Sequence, residues 1–200
     1  MEPTGRAIRD ACNRNDFELA TTVALRAWGA EILGWLVQRM RDETSASDVF
    51  SSFAERLWSS WEQFGWRCSA RAWMYTLARN EANTYEVGAR RDRQRWVPLS
   101  RMGAVSAVVD EVRTETLPYL RTSVKDEFRA LREHLSEEDQ TILVLRVDRE
   151  LSWSEIAQIT LGGDVAPSDA ALARETARLR KRLQLIKARI RALAEEAGLL

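Results

Sequence analysis

The four prolines of this 200-residue chain stand at positions 3, 98, 118 and 167, and their placement constrains the fold more than any other feature. Between Pro3 and Pro98, and again between Pro118 and Pro167, the strongest helix breaker is absent. Apolar residues in those stretches recur at spacings of three and four, and no strand-like alternation stands out. The chain therefore reads as all-α.

Capping residues mark where the helices begin. Asn15 with Glu18 is a capping-box pattern, followed by the stripe Leu25, Trp28, Ile32, Trp35, Leu36 and Met40. A second helix is expected from Ser45 or Ser47, carrying Val49, Phe50, Phe53, Leu57 and Trp58. The stretch Ser59–Ser69 holds Trp61, Phe64, Gly65, Trp66 and Arg67, and a long helix follows from about Ala70 with Trp73, Leu77, Ala78 and Ala82 inward. These elements make one domain over residues 15–96. Residues 97–116, poor in large apolar side chains, read as a linker, and Pro118 is expected to open the first helix of a second domain over 117–200. There, Ser136 with Asp139 and Ser152 with Glu155 are further capping patterns. Gly162 and Gly163 end a short helix, and Ser168 caps a long basic one. A short helix, a glycine-containing break and a basic helix follow the order of a helix-turn-helix.

Composition excludes more than it assigns. A hydrophobic fraction of 45% with 30% charged residues is that of an ordinary soluble globular protein. No apolar run approaches the ~20 residues that span a bilayer, and nothing at the N-terminus resembles a signal peptide, so a cytoplasmic protein without membrane insertion is expected. Cys12, Cys68 and the single histidine, His134, lie outside any metal-ligand spacing. With no phosphate-cradling loop and no nucleophile–base arrangement, neither a cofactor nor an enzymatic activity is expected.

The net charge is zero, yet the charges are segregated. Arg90, Arg91, Arg93, Arg95 and Arg101 face only Asp92 between residues 90 and 101. Residues 174–191 carry Arg174, Arg178, Arg180, Lys181, Arg182, Lys187, Arg189 and Arg191 against Glu175. Such patches can dock on phosphate while other faces stay neutral or acidic. The basic final helix, with its apolar seam Leu172, Leu179, Leu183, Ile186, Ile190 and Leu193, is equally a solvated amphipathic helix or a major-groove reader. The aromatic loop is either core or a platform that stacks on unpaired bases.

Several runs carry a resemblance. Ile32-Leu33-Gly34-Trp35-Leu36, Asp48-Val49-Phe50 through Arg56-Leu57-Trp58, Arg71-Ala72-Trp73-Met74 and Ala78-Arg79-Asn80-Glu81-Ala82 together resemble conserved region two of bacterial sigma factors. The similarity is to the small extracytoplasmic-function (ECF) class in particular. Leu135-Ser136-Glu137-Glu138 through Leu143-Val144-Leu145-Arg146, then Leu151-Ser152-Trp153-Ser154-Glu155-Ile156-Ala157, resemble region four of the same class.

The resemblance implies an alternative sigma factor that binds core RNA polymerase, with promoter DNA as second partner and an anti-sigma protein as a further one. Polymerase docking would fall to Asp48, Ser51, Ser52 and Glu55. The minus-ten element would be held by Trp61, Trp66, Arg67, Arg79, Asn80, Arg90 and Arg91. The minus-thirty-five element would be read by Arg178, Arg180, Lys181 and Arg182. Ser51-Ser52 departs from the Gln-Glu frequent on the family's docking helix. The turn between the region-four helices is expanded over Thr160–Ala177, and Ala170-Ala171-Leu172-Ala173 is apolar where the recognition helix begins. Two other functions stay open: a DNA-binding regulator of sigma-like ancestry that does not engage polymerase, and a helical protein–protein adaptor.

Overall fold

The computed structural model describes residues 3–87, 99–122, 131–162 and 167–199, and among them the structure is helical with no strand. The chain divides into two compact units, residues 1–122 and 123–200.

The first unit is built around one helix. α1 (Pro3–Asn13), α2 (Phe17–Met40), α3 (Glu43–Ser60), α4 (Ala70–Glu86) and α5 (Ala104–Thr122) occur in that order, and α2 packs against each of the other four. Its sequence shows why. Ala20, Ala24, Leu25, Trp28, Gly29, Ile32, Leu33, Trp35 and Leu36 are all buried, so apolar and small residues run around most of its girth. A helix clad on so wide an arc must lie inside its bundle. Met40, expected in the same stripe, is only half-buried.

Asp16, not Asn15, is the N-cap of α2, and its carboxylate accepts from the Leu19 N–H at 3.0 Å. Asn15 takes the left-handed turn before it, at φ 58°, a conformation asparagine tolerates better than most side chains. Glu18, expected to close a capping box on its own helix, instead accepts from the Ala104 N–H at 3.1 Å, where α5 begins. α3 starts earlier than Ser45. Its cap is Asp42, whose carboxyl is held below its ordinary range by hydrogen bonds from Ser45 and then Thr44.

The expected linker is the main correction. Residues 104–122 form α5, packed on α2 and α3 within the first unit, and Pro118 lies inside that helix rather than opening a new one. Val105, Val108, Val109 and Val112 are buried on its inner face, at helical spacing. Gly29 permits the approach: a Cβ there would stand 3.1 Å from a methyl of Val112. α1 likewise extends the unit ahead of residue 15, with Ile8 and Ala11 buried.

In the second unit, α6 (Glu137–Leu143) runs into a π-helical turn at Val144–Asp148, closed by Arg149 N–H donating to Val144 O at 2.9 Å. α7 (Trp153–Leu161) and α8 (Asp169–Glu196) follow. The local caps fall where the sequence puts them. Ser136 caps α6, Ser152 and Glu155 form a reciprocal box on α7, and Ser168 caps α8. Gly162 ends α7 at φ 63°; Gly163 lies outside the described residues. The expected expansion of the turn is mostly helix, since α8 already begins at Asp169. Leu179, Leu183, Ile186 and Leu193 are its buried seam, with Leu172 and Ile190 half-buried.

Candidate functional site

Three surfaces bring the sequence-derived residues together. The first is the outer stripe of α3. Asp48 is exposed, Ser51 and Glu55 are half-buried, and the same line begins at Thr44 in the first turn and continues to Ser59 at the end of the helix. At 100° per residue these positions fall within one narrow arc. Ser52 lies off it: its side chain is buried and its hydroxyl donates back to Asp48 O at 3.2 Å. It is therefore a packing residue and offers nothing to a partner. The stripe is not bare. Arg113 of α5 donates to Ser47 O and to the Ser51 hydroxyl, and Glu55 accepts from the Leu99 N–H at 2.9 Å.

The second surface is the aromatic turn between α3 and α4. Trp61 closes α3 in a short 3-10 turn and is buried at 2% exposure. Its indole N–H donates to the Thr21 hydroxyl at 2.9 Å, and Thr21 in turn donates to Phe17 O. Trp61 is a core residue and cannot meet a base. Phe64 sits beside it, edge-on at 5.7 Å, and also stacks on Trp73 at 5.4 Å. Trp66 continues the cluster outward, 4.7 Å from Phe64, with the Arg9 guanidinium 4.8 Å from its ring centroid on α1. Trp66 is half-buried and adopts φ +54°, which is uncommon for so bulky a side chain. Arg67 next to it is exposed. Trp58 and Trp73, both expected in the core, are half-buried, and the Trp73 indole N–H donates to the Ser60 hydroxyl.

The ring cluster is anchored by α4, which Ser69 caps. Arg71 is paired with Glu31 at 2.7 Å, and Arg56 with Glu81 at 2.7 Å, the latter pair buried. Arg79 and Asn80 are half-buried on α4, nearly two turns beyond Trp73. Arg90 and Arg91 lie outside the described residues.

The third surface is α8. Arg178 and Arg182, expected to reach bases, are engaged within the unit. Arg178 donates to Glu175 and to Glu138, and its pKa is raised by those two acids in that order. Arg182 donates to both oxygens of Asp139, at 2.6 and 2.8 Å. These two arginines tie α8 to the start of α6. Arg180 and Lys181 are exposed. Arg174, part of the basic run but not among the residues expected to read DNA, shares the outer face with Lys181, seven residues on, and with Ala170, Ala173 and Ala177, all exposed. Its signal was helical spacing: the apolar run of alanines is solvent-facing, and such small side chains let a helix approach a groove closely.

Both cysteines are free. Burial pushes the Cys12 thiol up to about 11, so it stays protonated at neutral pH. Among the described residues no cluster of metal-ligating side chains occurs, and no helix is long and apolar enough to cross a membrane.

No protein-family model matches the chain, and no solved structure matches it. Among curated proteins, the RNA polymerase sigma factor YlaC of Bacillus subtilis (strain 168) is 29% identical over 163 residues. That alignment covers 79% of this chain and 88% of YlaC. The chain is thus similar, over most of its length, to a bacterial RNA polymerase sigma factor.

Proposed function

We propose that this protein is an alternative sigma factor of the ECF type, which binds core RNA polymerase and directs it to a promoter. The observation that carries the reading is the pairing of an all-helical first unit, whose aromatic turn ends in a half-buried Trp66 beside the exposed Arg67, with a second unit bearing a capped helix-turn-helix. The exposed stripe of α3 is the polymerase-docking face, built on Asp48, Ser51 and Glu55. Trp66, Arg67, Arg79 and Asn80 hold the opened minus-ten strand. An aromatic site for an extruded base offsets an unstacking cost of a few kcal/mol. The outer face of α8, with Arg174, Arg180 and Lys181, reads the minus-thirty-five element, where arginine matches guanine bidentately. Arg178 and Arg182 position that helix through Glu138 and Asp139. The protein works without a cofactor and without catalysis of its own, in the cytoplasm, and is held inactive by an anti-sigma protein covering these faces.

The reading of α8 has a direct test. Arg180→Glu/Lys181→Glu leaves the Arg178 and Arg182 ion pairs between α6 and α8 in place, so the second unit is expected to stay folded. Promoter-directed transcription is expected to fall by at least ten-fold with core binding unchanged. Each lost phosphate contact also lowers the slope of log affinity against log salt by about one. Retained promoter selection in the double variant would move the reading surface elsewhere.

A further inference from the structure

The α3 stripe that we assign to polymerase is already occupied. We infer that Arg113 of α5 is a built-in competitor for this docking face, and that the face accepts a guanidinium from a partner helix. The inference rests on the sigma reading above. Arg113 donates to the Ser47 carbonyl and to the Ser51 hydroxyl, in the middle of the line Thr44–Asp48–Ser51–Glu55. One turn further on, Glu55 accepts from the backbone N–H of Leu99, so the same downstream segment engages the stripe at a second point. The stripe carries Asp48 and Glu55, and Arg113 brings the opposite charge to it.

The contact is held in place yet incomplete. α5 is fixed on α2 by its four buried valines and by the notch at Gly29, so the guanidinium is delivered to α3 at little entropic cost. On α5 itself the nearest acid is Asp110, 3.7 Å away and largely exposed. The Arg113 Nε–H, by contrast, is buried without a hydrogen-bond partner. A buried charged donor left unsatisfied is penalised, which weakens the hold on the stripe. Release requires only that the side chain swing off Ser47 and Ser51, with α5 remaining on α2. A basic partner group that satisfies the acids of the stripe can then take its place. Ser51 carries a side chain short enough to admit the guanidinium.

The test compares wild type, Arg113→Ala and Arg113→Lys for affinity to purified bacterial core RNA polymerase, with circular dichroism confirming that each is folded. Arg113→Ala is expected to bind about ten-fold tighter, because hydrogen bonds to a charged group no longer have to be broken. Arg113→Lys, which keeps the charge but not the two-point geometry, is expected in between. Unchanged or weaker binding of folded Arg113→Ala, with wild type binding normally, would overturn the competitor and leave the sigma reading intact. A weaker complex in particular would make Arg113 part of the docking surface itself. Failure of all three to bind core would remove the sigma reading and this inference together.

Discussion

Replacing Glu81 by alanine is expected to cost the first unit about 3–5 kcal/mol, enough to unfold much of it. The Arg56 guanidinium lies 2.7 Å from Glu81, with the two side chains only 10% and 6% exposed. Removing the carboxylate takes a close counter-charge from a cation buried between α3 and α4, and that loss outweighs any packing gained. Replacing both partners with leucine should recover most of the loss, since it removes both charges at once. The surface pair Arg191–Glu195, 77% and 57% exposed, provides the contrast. Glu195→Ala should change stability by less than about 0.5 kcal/mol. Urea denaturation followed by tryptophan fluorescence reads the first unit cleanly, because Trp153 is the only one of the eight tryptophans beyond residue 122. A cost under about 1 kcal/mol for Glu81→Ala would show that Arg56 does not depend on this carboxylate and would contradict the prediction.

Trp61 and Trp66 are expected to separate fold from function. Trp61→Ala removes a buried indole and leaves the Thr21 hydroxyl without its donor, for a loss of about 3–5 kcal/mol. Trp66→Ala removes a half-buried ring at the end of the cluster, and the left-handed backbone there suits alanine no worse than tryptophan. Its stability cost should be less than half as large. Transcription should show the opposite order once stability is corrected for. Trp66→Ala is expected to lower initiation on duplex promoters at least ten-fold while sparing templates already melted around the minus-ten element. Equal loss on both templates would give Trp66 a packing role and move strand capture to Arg67 and Arg79.

The parts of the fold legible in the sequence are those whose causes are local. A serine followed three residues later by an acid announces α6 and α7 without help from the rest of the chain, and both caps are present. The stripe on α2 was legible for the same reason. α5 was not. Valines at 105, 108, 109 and 112 are a modest helical pattern, and their burial depends on Gly29, some eighty positions upstream in the chain. Trp61 was misread because its decisive partner, Thr21, is forty residues away, while its neighbours in sequence look like an exposed loop. Arg178 and Arg182 lie in a basic run that suggests DNA. The acids that claim them, Glu138 and Asp139, belong to another helix. Charge segregation in sequence therefore overstated how many cations the last helix leaves for a ligand. Arg180 and Lys181 kept their expected exposure, and Arg174 joined them once the outer face of α8 was known.

The similarity to a sigma factor agrees with the presence of two helical units, but docking on polymerase is the step on which the whole account turns. Mixing the purified protein with bacterial core RNA polymerase and separating the mixture by size tests it most directly. The account predicts a stable one-to-one complex that supports initiation from a specific promoter. It further predicts that Asp48→Arg/Glu55→Arg weakens this complex without unfolding the first unit. If the folded protein, free of any bound partner, elutes apart from core polymerase while still binding duplex DNA in a salt-dependent manner, the sigma-factor account is contradicted. The chain would then be a stand-alone DNA-binding regulator of sigma-like ancestry.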